Sequence, residues 1–259
     1  MIHFVHLIHS LDLSTGGVAE STHRLNKEFQ KQGFGSSISD SNSYNLARAN
    51  CIIAHGLWQW PSFESWKFFK KTQTPYLVFP HGMLDPWFKR NYPIKHLKKQ
   101  FYWWWRQEKI LNDAHSVCFT TEKERMLAKK TFKPYCINDV VTGLGVSDPP
   151  EKKDVQLQTI FSRFPEFKNK RVLLYLGRFH PKKGVDLLIN AFLKQSKKEE
   201  ILLLAGPINH SDNHVKYLQN LSLKNKNKIF WADMIKGDMK WGALRMADAL
   251  ILPSHQENF

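Results

Sequence analysis

The stretch VLLYLGRFHPKKG, residues 172–184, runs from a strand-like apolar segment straight into an arginine, a histidine, two lysines and a glycine. Five consecutive apolar residues, Val172 to Leu176, form the pattern of a strand covered on both faces, as in a parallel sheet. After Gly177 such a chain leaves the sheet at its carboxyl edge, where open α/β folds bind their ligands. Pro181 can neither continue a strand nor sit inside a helix, and Gly184 permits a sharp entry into the helix that Val185 begins. Arg178, Lys182 and Lys183 therefore stand beside a helix N-terminus, whose free amides and partial positive charge attract anions. The combination suits a diphosphate; the alternative is a solvated basic turn.

Apolar β-type runs alternate with helical patterns along nearly the whole chain, which is the signature of an α/β protein with mainly parallel sheets. Strands are expected at 2–9, 51–54, 76–80, 116–120, 138–141, 172–177, 201–205, 228–231 and 249–252. The clearest helices are expected at 18–32, 95–112, 122–130, 185–195, 214–224 and 239–247. Residues 147–170, rich in Pro, Lys and Glu, break the alternation. This places one domain at 1–150 and a second at 151–259. The second has room for four strands and three helices, and reads as an incomplete doubly wound half.

Composition narrows the partner classes. A formal charge of +15 in 259 residues, with 42% hydrophobic residues, describes a folded protein with a basic surface and an anionic partner: nucleic acid, an acidic membrane or a phosphorylated small molecule. Cys51, Cys118 and Cys136 are odd in number, widely spaced and form no Cys-x-x-Cys, so neither a disulfide framework nor a zinc knuckle is indicated, and a cytoplasmic setting is expected. MIHFVHLIHSLDL lacks the marks of a signal peptide, and no apolar run reaches the ~18 residues of a membrane span. No recognition helix or aromatic RNA platform is legible, so nucleic acid is not the expected partner.

A second anion-ready loop lies near the start. In SLDLSTGGVAES, Gly16 and Gly17 stand between the first strand and the helix at Val18, where they let backbone amides approach a ligand. The pattern is neither Gly-x-Gly-x-x-Gly nor a Walker loop, and a tight turn would also explain it.

Together with GGVAES, the segments HGLW (55–58), HGMLDPW (81–87), GRFHPKKGVDLLINAF (177–192), LLLAGP (202–207) and LPSHQENF (252–259) resemble family 4 of the retaining glycosyltransferases, within the glycosyl transferases group 1 set. The resemblance implies the GT-B fold, two Rossmann-like domains facing each other across a cleft, and transfer of a hexose from a nucleotide-diphosphate sugar to a polysaccharide or lipid-linked glycan precursor. It implies that Arg178 and Lys183 grip the donor diphosphate and that Gly17, with Gly16, approaches it from the first domain. Glu257 matches the first glutamate of a Glu-x7-Glu motif that contacts sugar hydroxyls, with Asn258 and Phe259 contributing following amides. His81 matches a histidine facing the donor sugar, and Met234 and Ile235 follow the strand whose end contacts the base. The second glutamate of the motif would fall beyond Phe259, so a truncated chain is expected, and a non-catalytic relative or a sugar-nucleotide epimerase on the same scaffold are the rival readings. No metal or other cofactor is expected, since there is no Asp-x-Asp to hold an ion.

Two further features compete for attention. Residues 89–111, KRNYPIKHLKKQFYWWWRQEKIL, carry seven basic residues, one acidic residue and a cluster of aromatics. On a helix from Ile94, the side chains of Leu97, Phe101, Trp104, Trp105 and Ile110 can share an apolar surface. That surface reads as a core-facing stripe with a solvated basic back, or as a patch for peripheral contact with the inner membrane face. Twelve histidines suggest a metal, but alternation sends His6 to the opposite face from His3 and His9, and His210 and His214 lack the zincin glutamate. Asp85 and Glu108 read as turn or helix-surface residues rather than acid–base groups.

Overall fold

A computed structural model describes residues 1–12, 17–40 and 44–257. The chain divides into two compact units, Met1–Val146 and Ser147–Glu257, each an α/β body built on its own parallel sheet.

The first unit is built from β1 (His3–Ile8), α1 (Gly17–Lys31), β2 (Gly35–Ser39), β3 (Cys51–His55), α2 (Trp60–Thr72), β4 (Tyr76–Phe79), α3 (Pro86–Asn91), α4 (Pro93–Tyr102), α5 (Glu108–Asn112), β5 (Ser116–Phe119), α6 (Glu122–Ala128) and β6 (Asp139–Val141). The sheet order is β2-β1-β3-β4-β5-β6, parallel throughout. Side chains alternate between its two faces. Val5, Leu7, Ile52, Ala54, Tyr76, Val78, Val117 and Phe119 enter the larger core, while Ile53, Phe79 and Cys118 pack on the other face with Phe4, Phe29 and Leu77. The strand β2, GSSIS, is absent from the sequence reading because it is short and has a single large apolar side chain; it forms as an edge strand beside β1.

The second unit contains α7 (Lys153–Arg163), β7 (Arg171–Leu176), α8 (Val185–Gln195), β8 (Glu200–Ala205), α9 (Asn213–Ser222), β9 (Ile229–Trp231), α10 (Gly237–Met246) and β10 (Ala249–Leu250). Its parallel sheet has the order β10-β7-β8-β9. The apolar run of β7 serves both faces: Val172 and Leu174 join one core, Tyr175 and the half-buried Leu173 the other. Four helices occur where three were expected. The extra one, α7, lies inside the stretch that reads as a break; its Gln156 is fully buried, and a β-carbon on Gly242 of α10 would meet the Gln156 carbonyl oxygen at 2.1 Å. A glycine is thus what lets these two helices touch.

The aromatic stretch departs most from expectation. Ile94, Leu97, Phe101, Trp104 and Trp105 are between 50% and 75% exposed, and only Ile110 of the expected stripe is in the core. Trp103 is buried instead, with its Nε1–H donated to the Pro134 carbonyl at 2.9 Å. The cause is a π-helical turn, Trp103–Gln107, between α4 and α5. The wider turn shifts the helical phase, so residues before and after it no longer share the face that regular periodicity assigns. No helix among the described residues is long and apolar enough to cross a membrane.

Candidate active site

Both sheets reverse their strand order at one place, and in open α/β sheets ligands bind outside the carboxyl ends of the strands at such a point. In the second unit the reversal lies between β7 and β10. The segments leaving these two strands converge there. After β7 the Tyr175 hydroxyl donates to the Arg178 carbonyl at 2.7 Å, His180 Nδ1 accepts from the Lys182 amide at 3.1 Å, and Pro181–Lys183 form one 3-10 turn. Gly184 ends that turn with φ +62° and opens α8. After β10 the chain passes directly over this turn, and the His255 amide donates to the Lys182 carbonyl at 2.9 Å.

The outcome is a charged constellation assembled from residues far apart in sequence. Lys183 Nζ lies 2.6 Å from Glu257 Oε1, and the Ser254 hydroxyl donates to the same oxygen. Partial burial pushes the Glu257 carboxyl up, but the hydrogen bonds from Lys183 and Ser254, with the charges of Lys183 and Lys182, outweigh it and hold the group below the usual carboxylate range. The Arg178 side chain is exposed and makes no hydrogen bond or ion pair with any described residue. The connection from β7 to α8 thus carries an uncommitted guanidinium as well as the lysine of a positioned ammonium–carboxylate pair, and it ends at the N-terminus of an eleven-residue helix. Such a set can bind phosphate oxygens through Arg178, Lys183 and the helix amides, and hydroxyls through Glu257.

Next along the same edge, the loops after β8 and β9 are tied together: Gly206 donates its amide to the Asp233 carbonyl at 2.9 Å, and Asp233 Oδ1 accepts from the Ile208 amide at 3.0 Å. Of the two candidates there, Met234 is half-buried, whereas Ile235 is packed into the core and can offer only its backbone. Gly16, Asn258 and Phe259 lie outside the described residues.

Residues 157–259 match the family Glycosyl transferases group 1. This group 1 region contains every candidate of the second unit. A protein named "Putative glycosyltransferase YtcC", from Bacillus subtilis, is 31% identical over 93 residues, a match spanning 34% of this chain and 23% of that relative. The matched segment is thus about a quarter of the curated relative's length. Among solved structures, the sucrose-phosphate synthase of Thermosynechococcus elongatus is similar with a TM-score of 0.73 at 13% identity, covering 99% of this chain and 77% of that one. HepE of Anabaena, in complex with UDP and glucose, gives 0.72 at 14% identity over 100% of this chain and 76% of that one. A glycosyltransferase of Rickettsia africae gives 0.67 at 18% identity, with 99% and 74% coverage. The two-sheet α/β architecture is therefore that of the GT-B glycosyltransferases.

In the first unit the reversal lies between β1 and β3. Gly17 opens α1 there, is exposed, and has nothing within 4 Å of where a β-carbon would stand. Its lack of a side chain is not required by packing. His81, with φ +48°, and Gly82, with φ +75°, form a turn after β4. That turn is anchored by Glu124, a buried carboxylate no motif signals: its Oε1 accepts from the Gly82 amide at 2.7 Å, and its Oε2 from the amide and hydroxyl of Thr120 at 2.9 and 2.6 Å. Asp85 caps α3, accepting from the Trp87 amide at 2.7 Å.

Behind His81 stand two further imidazoles. His55 Nδ1 lies 3.0 Å from His81 Nε2, and His55 Nε2 lies 3.0 Å from His6 Nδ1. Burial lowers His6 and His81 to about 4; His55 is held well below the ordinary value by burial and then by its two imidazole neighbours. All three rings are neutral at pH 7. Their alignment follows from register: β1 and β3 pair Ile8 with His55, and β3 and β4 pair His55 with Phe79, so each histidine is offset by two residues and all share one face.

Proposed function

We propose that this chain transfers a hexose from a nucleotide-diphosphate sugar to a hydroxyl of a polysaccharide or lipid-linked glycan precursor, with retention at the anomeric carbon. The carrying observation is the Lys183–Glu257 pair at the sheet's reversal point, on the same β7–α8 connection as the uncommitted Arg178 and within the region that matches group 1. The fold shared with HepE, seen with UDP and glucose, supports a nucleotide sugar as the donor class.

In this reading the bond from the sugar's anomeric carbon to the diphosphate oxygen breaks and its electron pair stays on the diphosphate. The acceptor hydroxyl bonds to the same face of that carbon through an oxocarbenium-like state, and its proton passes to the departing phosphate oxygen. Arg178 and Lys183 stabilise the negative charge as it grows, with no reorganisation at the moment of transfer. Glu257 accepts hydrogen bonds from sugar hydroxyls, and His81 and Gly17 are the ligand-contact candidates of the first unit. The positive charge that faces the departing diphosphate is supplied by side chains, so the reaction is expected to proceed in EDTA without an added metal ion.

The chain also docks on the inner membrane face. Helix α4 has no buried residue, presents Ile94, Leu97 and Phe101 to solvent and is flanked by exposed Lys95, Lys98 and Lys99. Apolar side chains that enter an interface beside lysines that meet anionic headgroups are the chemistry of a surface-lying helix. Such a position brings the protein to a lipid-linked acceptor.

The deciding experiment is calorimetric titration of the chain with UDP, GDP and ADP, beside Arg178→Ala and Lys183→Ala. Saturable binding of one diphosphate, weakened at least about tenfold in both variants, is expected for charge-assisted contacts to phosphate. No binding by folded wild-type protein overturns the reading.

A further inference from the structure

The three histidines allow only two arrangements of their protons. A neutral imidazole has one N–H and one bare nitrogen, and each ring–ring contact, His6 Nδ1 to His55 Nε2 and His55 Nδ1 to His81 Nε2, needs one hydrogen between its two nitrogens. If His55 carries its proton on Nδ1, His81 Nε2 must be bare and His6 Nδ1 must be protonated. If His55 carries it on Nε2, the other two must do the same. The rings are therefore all Nδ1–H or all Nε2–H, and the proton on His81 is tied to the one on His6 two strands away.

The buried end of the chain decides between them. His6 Nε2 is buried and has no hydrogen-bond partner among the described residues. In the all-Nε2–H arrangement that atom is an orphaned N–H donor, the rarer and costlier kind of unsatisfied buried group. A neighbouring π face does not rescue it: the ring of Phe29 is tilted only 32° from that of His6 at a centroid distance of 5.6 Å, so an N–H in the imidazole plane does not point at the phenyl face. In the other arrangement His6 Nε2 is a bare nitrogen against apolar neighbours, and every N–H is used or faces outward. We infer that His6, His55 and His81 all hold their proton on Nδ1, so that His81 presents an N–H donor and not a lone pair.

His81 is half-buried, and its Nδ1 makes no hydrogen bond with any described residue, so this donor is free for a ligand. It matches an oxygen lone pair, such as that of a hydroxyl on a bound sugar. A protonated Nδ1 cannot take the proton of an attacking hydroxyl, so His81 orients substrate and is not the general base. His6 and His55 are positioning residues, acting through His81. The assignment to a sugar rests on the glycosyltransferase reading; the proton arrangement itself does not.

The test is a long-range proton–nitrogen NMR correlation of the 15N-labelled, ligand-free full chain at pH 7, with His6→Phe, His55→Phe and His81→Ala used to assign the three rings. Protonated and bare imidazole nitrogens resonate far apart, so each ring reports its tautomer. The expected result is an Nδ1–H pattern at all three positions, and a return of His81 towards the Nε2–H form favoured in water when His55→Phe cuts the chain. An Nε2–H form or an imidazolium at His81 in the wild type overturns the inference, as does an unchanged His81 tautomer in folded His55→Phe. If that variant does not fold, the wild-type spectrum still decides. Because no nucleotide is present, failure here is separate from failure to bind UDP.

Discussion

A β-carbon on Gly184 would lie 2.3 Å from the carbonyl oxygen of Pro253, so the turn after β7 and the segment after β10 meet backbone to backbone. With φ at +62° the position is also one that side chains resist. Gly184→Ala is expected to lose about 1–3 kcal/mol in chemical denaturation, because left-handed strain and displacement of the Pro253 segment act together. Diphosphate affinity falls with it, since the same contact brings Glu257 to Lys183.

The carboxyl of Glu257 sits below its ordinary range in the folded state, so the stabilisation it contributes is present above the unfolded-state value of about 4.3. That contribution disappears as the pH falls through the lowered folded-state value. Wild type is thus expected to exceed Glu257→Gln in stability at pH 7, and the gap to close as the pH falls below the ordinary glutamate value of about 4.3. Urea unfolding at several pH values measures it; a gap that widens on acidification contradicts the ion pair.

Glu124 holds three donors in a buried position. Glu124→Ala strands the amides of Gly82 and Thr120 and the Thr120 hydroxyl, with an expected loss of about 2–4 kcal/mol. Glu124→Gln keeps one acceptor oxygen and is expected to lose less. Because the 81–82 turn hangs on this side chain, the NMR signals of His81 should shift in both variants.

Vesicle co-sedimentation addresses the exposed face of α4. Binding is expected to vesicles rich in phosphatidylglycerol and not to pure phosphatidylcholine, and to weaken with salt. Replacing Leu97, Phe101 and Trp105 together by Ser should reduce it at least about tenfold. Equal binding by the triple variant removes the docking surface.

Legibility in the sequence followed the range of the interactions involved. The strand–turn–helix at 172–195 was readable because strand pattern, proline, glycine and basic residues all act within a few positions of one another. Arg178 and Lys183 could be named for the same reason. The histidine chain could not be found in this way, since its contacts depend on the pairing offsets of three strands; HG at 55 and HG at 81 were visible, but not their tie to His6. Glu124 reads as an ordinary first-turn helix acid until the 81–82 turn folds over it. Of the two readings of the aromatic face, the core-facing stripe fails because the π turn puts Ile110 out of phase with Leu97 and Phe101, and WWWRQ carries no proline or glycine to announce the change.

The short pairing of β10 bears on how the site comes into being. Only Ala249 and Leu250 are in the ladder with β7, reinforced by the Asp248 amide on the Val172 carbonyl at 2.9 Å and the Ile251 amide on the Leu174 carbonyl at 2.8 Å. Glu257 is carried by the least securely held strand of its sheet, and its partner Lys183 is 74 residues away. Loop closure over that distance makes their meeting a late event in folding. Peeling β10 away would dissolve the ion pair while β7, β8 and β9 stay assembled, so amide exchange at 249–251 should be faster than in β7 and should slow when a diphosphate is bound.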